Sequence, residues 1–333
     1  MKKEKQWIER KERAFLRDVL PLGTPFSMQV EPIRACNFKC IYCVYSVKSP
    51  AAGGIKTLPL PLFDKFINDF RAFPDKLKTL TFSGIGEPLL NKDLAGMVRL
   101  GRKISEKTVL ITNGALLTPQ RTDELIAAGL DTIRVSLQGA SAAGYRRVCG
   151  FNLDFPKFLR NLAYLYKNRK QCEVFFKIPD IAVNTKTKSA LLHKTFGGIC
   201  DALIIQSISP TQNEVDYSAI GKNYRRTMYN HPVLRDVRVC PQPFYSMQLM
   251  ADGTVRPCCM LESQCYTLGN VKDGSIYDIW RGGRLKALRR GQLMGLRNSF
   301  KACRNCAYPK YLDNDYDYID DVAGSLLAKC GMR

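Results

Sequence analysis

With 333 residues, 45% of them hydrophobic, the chain can bury one large α/β core with a small appendage, or two ordinary domains. Lys and Arg outnumber Asp and Glu by 51 to 30, a formal charge of +21. So strong a balance favours anionic partners (nucleic acid, phosphorylated metabolites or a membrane surface) against the plainer reading of a solvated basic surface. No apolar run approaches the roughly 20 residues that span a bilayer, and the basic start lacks the apolar stretch of a secretory signal, so a cytoplasmic protein without a membrane span is expected.

Residues 1–17 read as a basic amphipathic helix with Trp7, Phe15 and Leu16 among charges, and residues 1–25 as an N-terminal basic segment. From 26 to 210, extended apolar runs alternate with amphipathic stretches. The runs are 26–31, 78–83, 108–112, 132–137, 173–178 and 202–208; amphipathic stretches lie at 61–73, 93–105, 119–129 and 155–169. Repeated strand–helix units imply a parallel sheet with right-handed crossovers. Six units suit an open, partial (β/α)6 barrel better than a closed eight-stranded one. Residues 211–239 form a polar connection. A smaller C-terminal domain is expected over 240–333. There, strands at 245–249 and 254–256 flank the turn Ala251-Asp252-Gly253, a helix covers 275–293, and a Cys-x-x-Cys loop follows. Basic residues cluster at 2–17 and 281–297 without the aromatic interleaving of a single-strand-binding surface.

Thirteen cysteines in a chain without an export signal point to metal or redox use in place of disulfides. Only two histidines are present, His193 and His231, which nearly excludes a histidine-rich zinc site. Cys36, Cys40 and Cys43 follow the first strand, where loops at the carboxyl ends of a parallel sheet build active sites. Three thiolates on a four-iron cluster leave one iron open to an exogenous ligand. A tetrahedral zinc site needs a fourth ligand, and no Cys or His lies nearby in sequence. After the second strand comes Ser83-Gly84-Ile85-Gly86-Glu87-Pro88, in which Gly86 permits close backbone approach and Glu87 supplies an anionic acceptor. Taken alone this segment reads as an ordinary turn. Asn113, in Thr112-Asn113-Gly114, ends the third strand. Ser136 and Gln138 end the fourth, and Lys177 lies at the end of the fifth.

Cys-x3-Cys-x2-Cys after a first strand, with Tyr42 before the last cysteine, resembles the radical S-adenosylmethionine superfamily. The resemblance covers roughly residues 26–210. It implies that the open iron chelates the amino and carboxylate groups of S-adenosylmethionine, and that one electron then yields a 5′-deoxyadenosyl radical. It also implies that Gly84, Gly86 and Glu87 receive the methionine ammonium, that Asn113 belongs to a recurring Thr-Asn-Gly element, and that Ser136 and Gln138 meet the methionine carboxylate or ribose. Many members carry Asp where Gln138 stands. Lys177 is either a substrate contact or base, or a surface residue. Cys149, placed in the loop after the fourth strand, is either a hydrogen-atom donor or a small buried hydrophobe.

Cys240, Cys258, Cys303 and Cys306 form a second set. Their spacing alone suits a zinc ribbon as well as an iron–sulfur cluster. With residues 247–258 and 268–280, the segment resembles the C-terminal SPASM extension in its short "twitch" form, a β-hairpin plus helix around one auxiliary cluster. Two [4Fe-4S] clusters are therefore expected, one binding S-adenosylmethionine and one auxiliary. A cluster closed by four thiolates carries electrons or holds structure. Cys259 and Cys330 are the alternative auxiliary ligands.

The architecture resembles an aminocyclitol dehydrogenase. It implies hydrogen abstraction from a sugar- or cyclitol-type small molecule and oxidation to a ketone; the net charge of +21 together with Lys177 favours a phosphorylated substrate, and a one-electron donor such as flavodoxin or ferredoxin is expected. Two other readings stand beside it. One is a peptide-modifying radical enzyme, for whose leader-binding domain the 25 residues before the first strand leave little room. The other, favoured by charge alone, is a zinc-stabilised nucleic-acid-binding protein.

Overall fold

A computed structural model of the protein describes residues 14–47, 54–220, 226–228, 230–232, 235–258 and 266–331. Most of the expected N-terminal helix lies outside the described residues; of it, only Leu16–Val19 (α1) is seen as helix. The strands β1 (Ser27–Val30), β2 (Thr79–Phe82), β3 (Thr108–Thr112), β4 (Thr132–Ser136), β5 (Glu173–Pro179) and β6 (Ala202–Gln206) alternate with helices. After β1 come α2 (Val44–Val47) and α3 (Leu60–Phe70); α4 (Leu94–Gly101) follows β2 and α5 (Pro119–Ala127) follows β3. After β4 stand α6 (Ala142–Cys149) and α7 (Phe155–Asn168), and after β5 stands α8 (Lys186–Phe196).

Local chemistry sets these helix starts. The side chains of Thr118, Ser141, Asp154 and Thr185 accept hydrogen bonds from the backbone N–H groups of Arg121, Gly144, Lys157 and Lys188, capping α5, α6, α7 and α8. Pro119 and Pro156 occupy first-turn positions that need no N–H donor. At the other end of α6, Gly150 takes the left-handed conformation (φ 63°), which closes the helix.

β1 to β6 are parallel throughout, and the sheet runs in the order β6-β5-β4-β3-β2-β1-β7-β8-β9. Alternate residues of β1, β2, β4 and β5, among them Met28, Val30, Leu80, Phe82, Ile133, Val135, Phe176 and Ile178, are buried in one core with Phe63, Phe66, Leu94, Met97, Leu125 and Leu162 of the helices. The opposite face is left to form the concavity of an open α/β barrel. Among the described residues, no helix is long and apolar enough to cross a membrane.

The C-terminal hairpin is built onto this sheet. After α9 (Gln242–Tyr245), β7 (Ser246–Leu249) pairs in parallel with β1, Gln29 standing beside Gln248. β8 (Thr254–Arg256) and β9 (Gly269–Asn270) then continue the sheet antiparallel. The turn between β7 and β8 needs Gly253, whose φ is +88°. The expected helix over 275–293 is two helices, α10 (Ile276–Arg281) and α11 (Gly283–Leu293), because Gly282 at the junction of Gly282-Gly283 is extended (ψ 155°). α12 (Tyr308–Leu312) and α13 (Ala323–Lys329) close the chain.

Candidate active site

The first three cysteines lie in the loop between β1 and α2, at the carboxyl edge of the parallel sheet. Each is half-buried, and their thiols act on one another electrostatically. Burial pushes the Cys36 thiol up to about 11 and raises those of Cys40 and Cys43, the hydrogen bond with Cys149 being the largest cause for Cys40. Burial favours the protonated thiols, and a bound metal would displace those protons. Among the described residues, no three side chains of His, Cys, Asp or Glu close around a single ion. Three sulfurs without a fourth ligand suit a multi-iron cluster with one open iron and leave a zinc ion short of its tetrahedron.

The loop after β2 is pressed against the cysteine loop. The Glu87 N–H donates to Ala35 O at 2.7 Å. A Cβ on Gly86 would lie 2.0 Å from Ile33 O, and one on Gly84 would lie 2.6 Å from Glu31 Cγ. Both glycines are therefore demanded by close approach. Glu87 is buried, and its carboxylate accepts from Leu89 N (3.0 Å), Thr112 Oγ1 (2.5 Å) and Asn113 N (2.7 Å). The acid thus braces the loops of β2 and β3 from within and is not turned to the open side. Asn113 donates from Nδ2 to Asn37 Oδ1 (2.7 Å), and the same nitrogen lies 4.0 Å from Cys36 Sγ.

At the end of β4, Tyr42 OH donates to Gln138 Oε1 (2.5 Å), and Gln138 Nε2 donates to the Ser136 carbonyl (3.0 Å). Gln138 is fully buried, fixing the cysteine loop to β4 with both ends of its amide. Ser136 and Lys177 are register partners on β4 and β5, both half-buried. Desolvation, and then the like charge of Arg134, lower the Lys177 pKa to about 8. Cys149 departs from expectation. It ends α6, within no loop, and is wholly buried; its Sγ donates to Tyr145 O (3.0 Å) and contacts Cys40. It underpins the cysteine loop and offers no surface to a substrate.

Cys240, Cys303 and Cys306 also lie within electrostatic reach of one another, and burial pushes Cys303 up to about 11 and raises Cys240 and Cys306. Cys258 packs with Cys306 against Tyr308 and Leu312. Cys240, Cys303 and Cys306 thus come near one another, with Cys258 beside Cys306, from a span of 67 positions, 240–306. Cys259 and Cys265 lie outside the described residues; Cys330, at the end of α13, is close to Arg289 and Lys329.

Three groups of the site escaped sequence reasoning. Gln292, fully buried on α11, accepts from Cys240 N (3.0 Å) and donates toward Cys303 Sγ (3.7 Å). Glu31, just past β1, accepts from Arg34, Ile85 N and Ala251 N. Arg134 is the third. The available signal was a lone charge in an apolar strand run, within β4 for Arg134 and just after β1 for Glu31.

Comparison with known proteins agrees with this geometry. Residues 30–178 match the radical SAM superfamily, and residues 240–307 match SPASM, an iron–sulfur cluster-binding domain. The tungsten-containing aldehyde ferredoxin oxidoreductase cofactor-modifying protein of Pyrococcus furiosus is 25% identical over 317 residues, covering 84% of this chain and 86% of that protein. The AdoMet-dependent heme synthase of Methanosarcina barkeri is 28% identical over 169 residues, 49% of this chain and 46% of its own length; the chain thus spans less than half of that relative. Among solved structures, BtrN in complex with AdoMet and 2-DOIA aligns with a TM-score of 0.55 at 20% identity, covering 88% of this chain and 97% of that one. Native anSMEcpe with AdoMet and the Cp18Cys peptide gives 0.58 at 16% identity, over 92% and 96%. These likenesses show the fold. S-adenosylmethionine and [4Fe-4S] clusters are implied by the two matched domains, and the chain belongs to the radical SAM superfamily, with a C-terminal SPASM iron–sulfur domain.

Proposed function

We propose that this protein is a cytosolic radical oxidoreductase that dehydrogenates a small-molecule alcohol, sugar- or cyclitol-like or phosphorylated. One observation supports the reading: apart from the triad of Cys36, Cys40 and Cys43, the described cysteines Cys240, Cys303 and Cys306 act on one another and Cys258 packs with Cys306, a second set suited to one auxiliary cluster. The fold likeness to BtrN, crystallised with AdoMet and 2-DOIA, over nearly the whole of both chains supports it. When bound at the triad, S-adenosylmethionine and an open-sided cluster supply a 5′-deoxyadenosyl radical that takes a hydrogen atom from a substrate carbon. The chain's own part is to hold and orient. The triad ligates; Gly84 and Gly86 bring backbone to the ligand; Asn113, Ser136 and Gln138 fix the rim of the barrel; Lys177 meets the substrate. Cys240, Cys258, Cys303 and Cys306 hold an auxiliary [4Fe-4S] cluster. Oxidation of an alcohol to a ketone removes one hydrogen atom, one proton and one electron, so an electron acceptor is required, and a cluster on this closed set would supply it.

A second reading, peptide modification, draws on a 32% match over 146 residues to the PqqA peptide cyclase of Bradyrhizobium diazoefficiens, and on the fold likeness to the peptide-bound structure. Anaerobic turnover separates the two. With reconstituted protein, S-adenosylmethionine, a flavodoxin or ferredoxin donor and candidate substrates, 5′-deoxyadenosine and product mass are measured together. Dehydrogenation lowers the mass of an alcohol by that of two hydrogens; modification of a peptide, with alcohols untouched, overturns the first reading. Seven cluster thiolates predict about eight irons and eight sulfides per chain, half of them lost when Cys36, Cys40 and Cys43 become Ala. Stoichiometric zinc in their place refutes the radical assignment. Cys40→Ala should abolish 5′-deoxyadenosine, whereas Cys303→Ala should lose product and retain uncoupled cleavage of S-adenosylmethionine.

A further inference from the structure

The sheet face turned away from the helices carries a row of neutral polar side chains across β7, β1 and β2. Met247 and Leu249 of β7, Met28 and Val30 of β1, and Leu80 and Phe82 of β2 are buried in the core on the helix side. By the two-residue period of a strand, Gln248, Gln29 and Thr81 between them project to the concave side. The three are register partners: Gln29 stands beside Gln248 on one flank and beside Thr81 on the other. Neighbouring strands are about 4.8 Å apart, so the row crosses about 10 Å. Gln29 Nε2 donates to the Ser83 hydroxyl, which joins the row to the loop of Gly84 and Gly86. Gln29 stands two residues before Glu31, and at about 3.3 Å per residue the row lies roughly 7 Å deeper than the loops around the cysteine triad.

Gln248 is the informative member. It is only 2% exposed, yet among the described residues nothing hydrogen-bonds to its amide. The other three buried glutamines all have partners: Gln138 holds Tyr42 and the Ser136 carbonyl, Gln242 holds Tyr245 and Ser246, and Gln292 holds Cys240 N and Cys303 Sγ. Burying an amide without a partner costs free energy that Leu or Met in the same place would not incur. The unmet amide therefore points to a ligand on the concave side. A hydroxyl suits it, because it donates and accepts at once, and two neighbouring hydroxyls match the C=O and NH2 of one amide. Gln29 Oε1 and the Thr81 hydroxyl extend the same chemistry along the row. No carboxylate or ammonium stands among these three side chains. Glu31, at the rim, is taken up by Arg34 and two backbone N–H groups, and Arg256, beside Gln248 on β8, is engaged within the protein. The row thus favours a neutral polar group over an ion.

We propose that Gln248, Gln29 and Thr81 form a subsite for the neighbouring hydroxyls of a neutral polyhydroxylated ring, the sugar- or cyclitol-like part of the substrate. The subsite rests on the proposed oxidation of such an alcohol in this concavity. Gln248 lies within the segment that matches the SPASM domain, so the extension supplies substrate recognition as well as thiolates. The ribose diol of S-adenosylmethionine shares this chemistry and is separated by experiment.

The test uses reconstituted holoenzyme with saturating S-adenosylmethionine, titrated with myo-inositol and with D-glucose as probes, binding being read by saturation-transfer NMR. Gln248→Met and Gln29→Met should each weaken binding of the probe about tenfold, as expected when a buried hydroxyl loses its partner. Thr81→Val should weaken it about threefold or more. Lys272→Gln, on the exposed turn after β9, should leave it unchanged. Affinity for S-adenosylmethionine, measured by equilibrium dialysis, should be the same in all four. A wild type that binds neither probe overturns the subsite, as does unaltered binding in either Met variant. Weakened binding of S-adenosylmethionine with the probes unaffected assigns the row to the ribose and also overturns it. If a Met variant fails to fold, Thr81→Val decides: wild-type affinity there overturns the subsite. No turnover enters these readings. Probe binding that depends on Gln248, without 5′-deoxyadenosine formation, would remove the proposed reaction and keep the subsite. Dehydrogenation of an alcohol, with binding indifferent to Gln248 and Gln29, would remove the subsite alone.

Discussion

Single side chains in this molecule act mainly by setting distances between loops. Gly86 is the clearest: its missing Cβ lets the loop after β2 lie on the backbone of Ile33 and Ala35. Gly86→Ala should lift that loop, break the Glu87 N–H bond to Ala35, and weaken binding of S-adenosylmethionine by at least about tenfold, ~1.4 kcal/mol. Circular dichroism should remain unchanged; dialysis showing wild-type affinity would mean that the close approach does not build the site. Gln292 plays a comparable part at the second cysteine set, holding Cys240 N and Cys303 Sγ with one amide. Hydrogen bonds to cluster sulfurs favour the reduced, more negative state. Gln292→Leu should therefore lower the midpoint potential of the auxiliary cluster, by about 40 mV if the lost bond contributes ~1 kcal/mol. An EPR redox titration, made on protein whose Cys36, Cys40 and Cys43 are Ala so that one cluster remains, reads this directly. An unmoved potential would leave Gln292 a packing residue.

Elements are joined across the molecule by Glu31, which sits between β1 and the cysteine loop. Its buried carboxylate takes Arg34, the N–H of Ile85 after β2 and the N–H of Ala251 in the hairpin turn. One acid thus ties the hairpin of the cluster-binding extension to the two loops around the cysteine triad. Removing it takes the carboxylate from a largely buried guanidinium and from two backbone N–H groups, so Glu31→Ala should cost about 3–5 kcal/mol, seen as a lowered thermal midpoint of the holoenzyme. A midpoint within a degree of wild type would show that the tie carries no load. Sequence alone could not place this residue, because two of its partners, Ile85 and Ala251, come from distant segments. By contrast β1 to β6 were legible: each is a short apolar run, and the cysteine spacing and glycine turn named the chemistry beside them. α6 was missed because Ser141-Ala142-Ala143-Gly144 reads as a loop, although Ser141 caps a helix there. The pairing of β7 with β1 was not legible either, since nothing local distinguishes a strand that begins a new domain from one that extends an old sheet. Gly282 broke the long C-terminal helix at a place where apolar periodicity continued through it.

The molecule as a whole carries +21, and the structure divides that charge. Part of the basic segment 281–297 is architectural. Arg289 lies 4.0 Å from the Trp280 ring centre and donates to Pro243 O, Arg281 donates to the Tyr277 hydroxyl, and Arg284 donates to Thr267 O. Arg297 is different: its charge acts on Cys240, Cys303 and Cys306, favouring their thiolates. It would therefore offset the negative charge of a thiolate-bound cluster, and a basic surface there is a hypothesis to test. A duplex or a single strand bound to such a surface would lose affinity steeply with salt through counterion release. An acidic electron-transfer protein of the flavodoxin or ferredoxin class would be steered to it and would lose association rate with salt in a shallower way. Cleavage of S-adenosylmethionine driven by an acidic flavodoxin should accordingly slow as ionic strength rises from 0.01 to 0.5 M, past the point where the screening length falls below about 10 Å. Cleavage driven by a small chemical reductant should hold steady over the same range. Equal salt dependence with both donors would place the effect in the active site and not in docking, and tight RNA binding with a slope of many ions would assign the basic surface to nucleic acid.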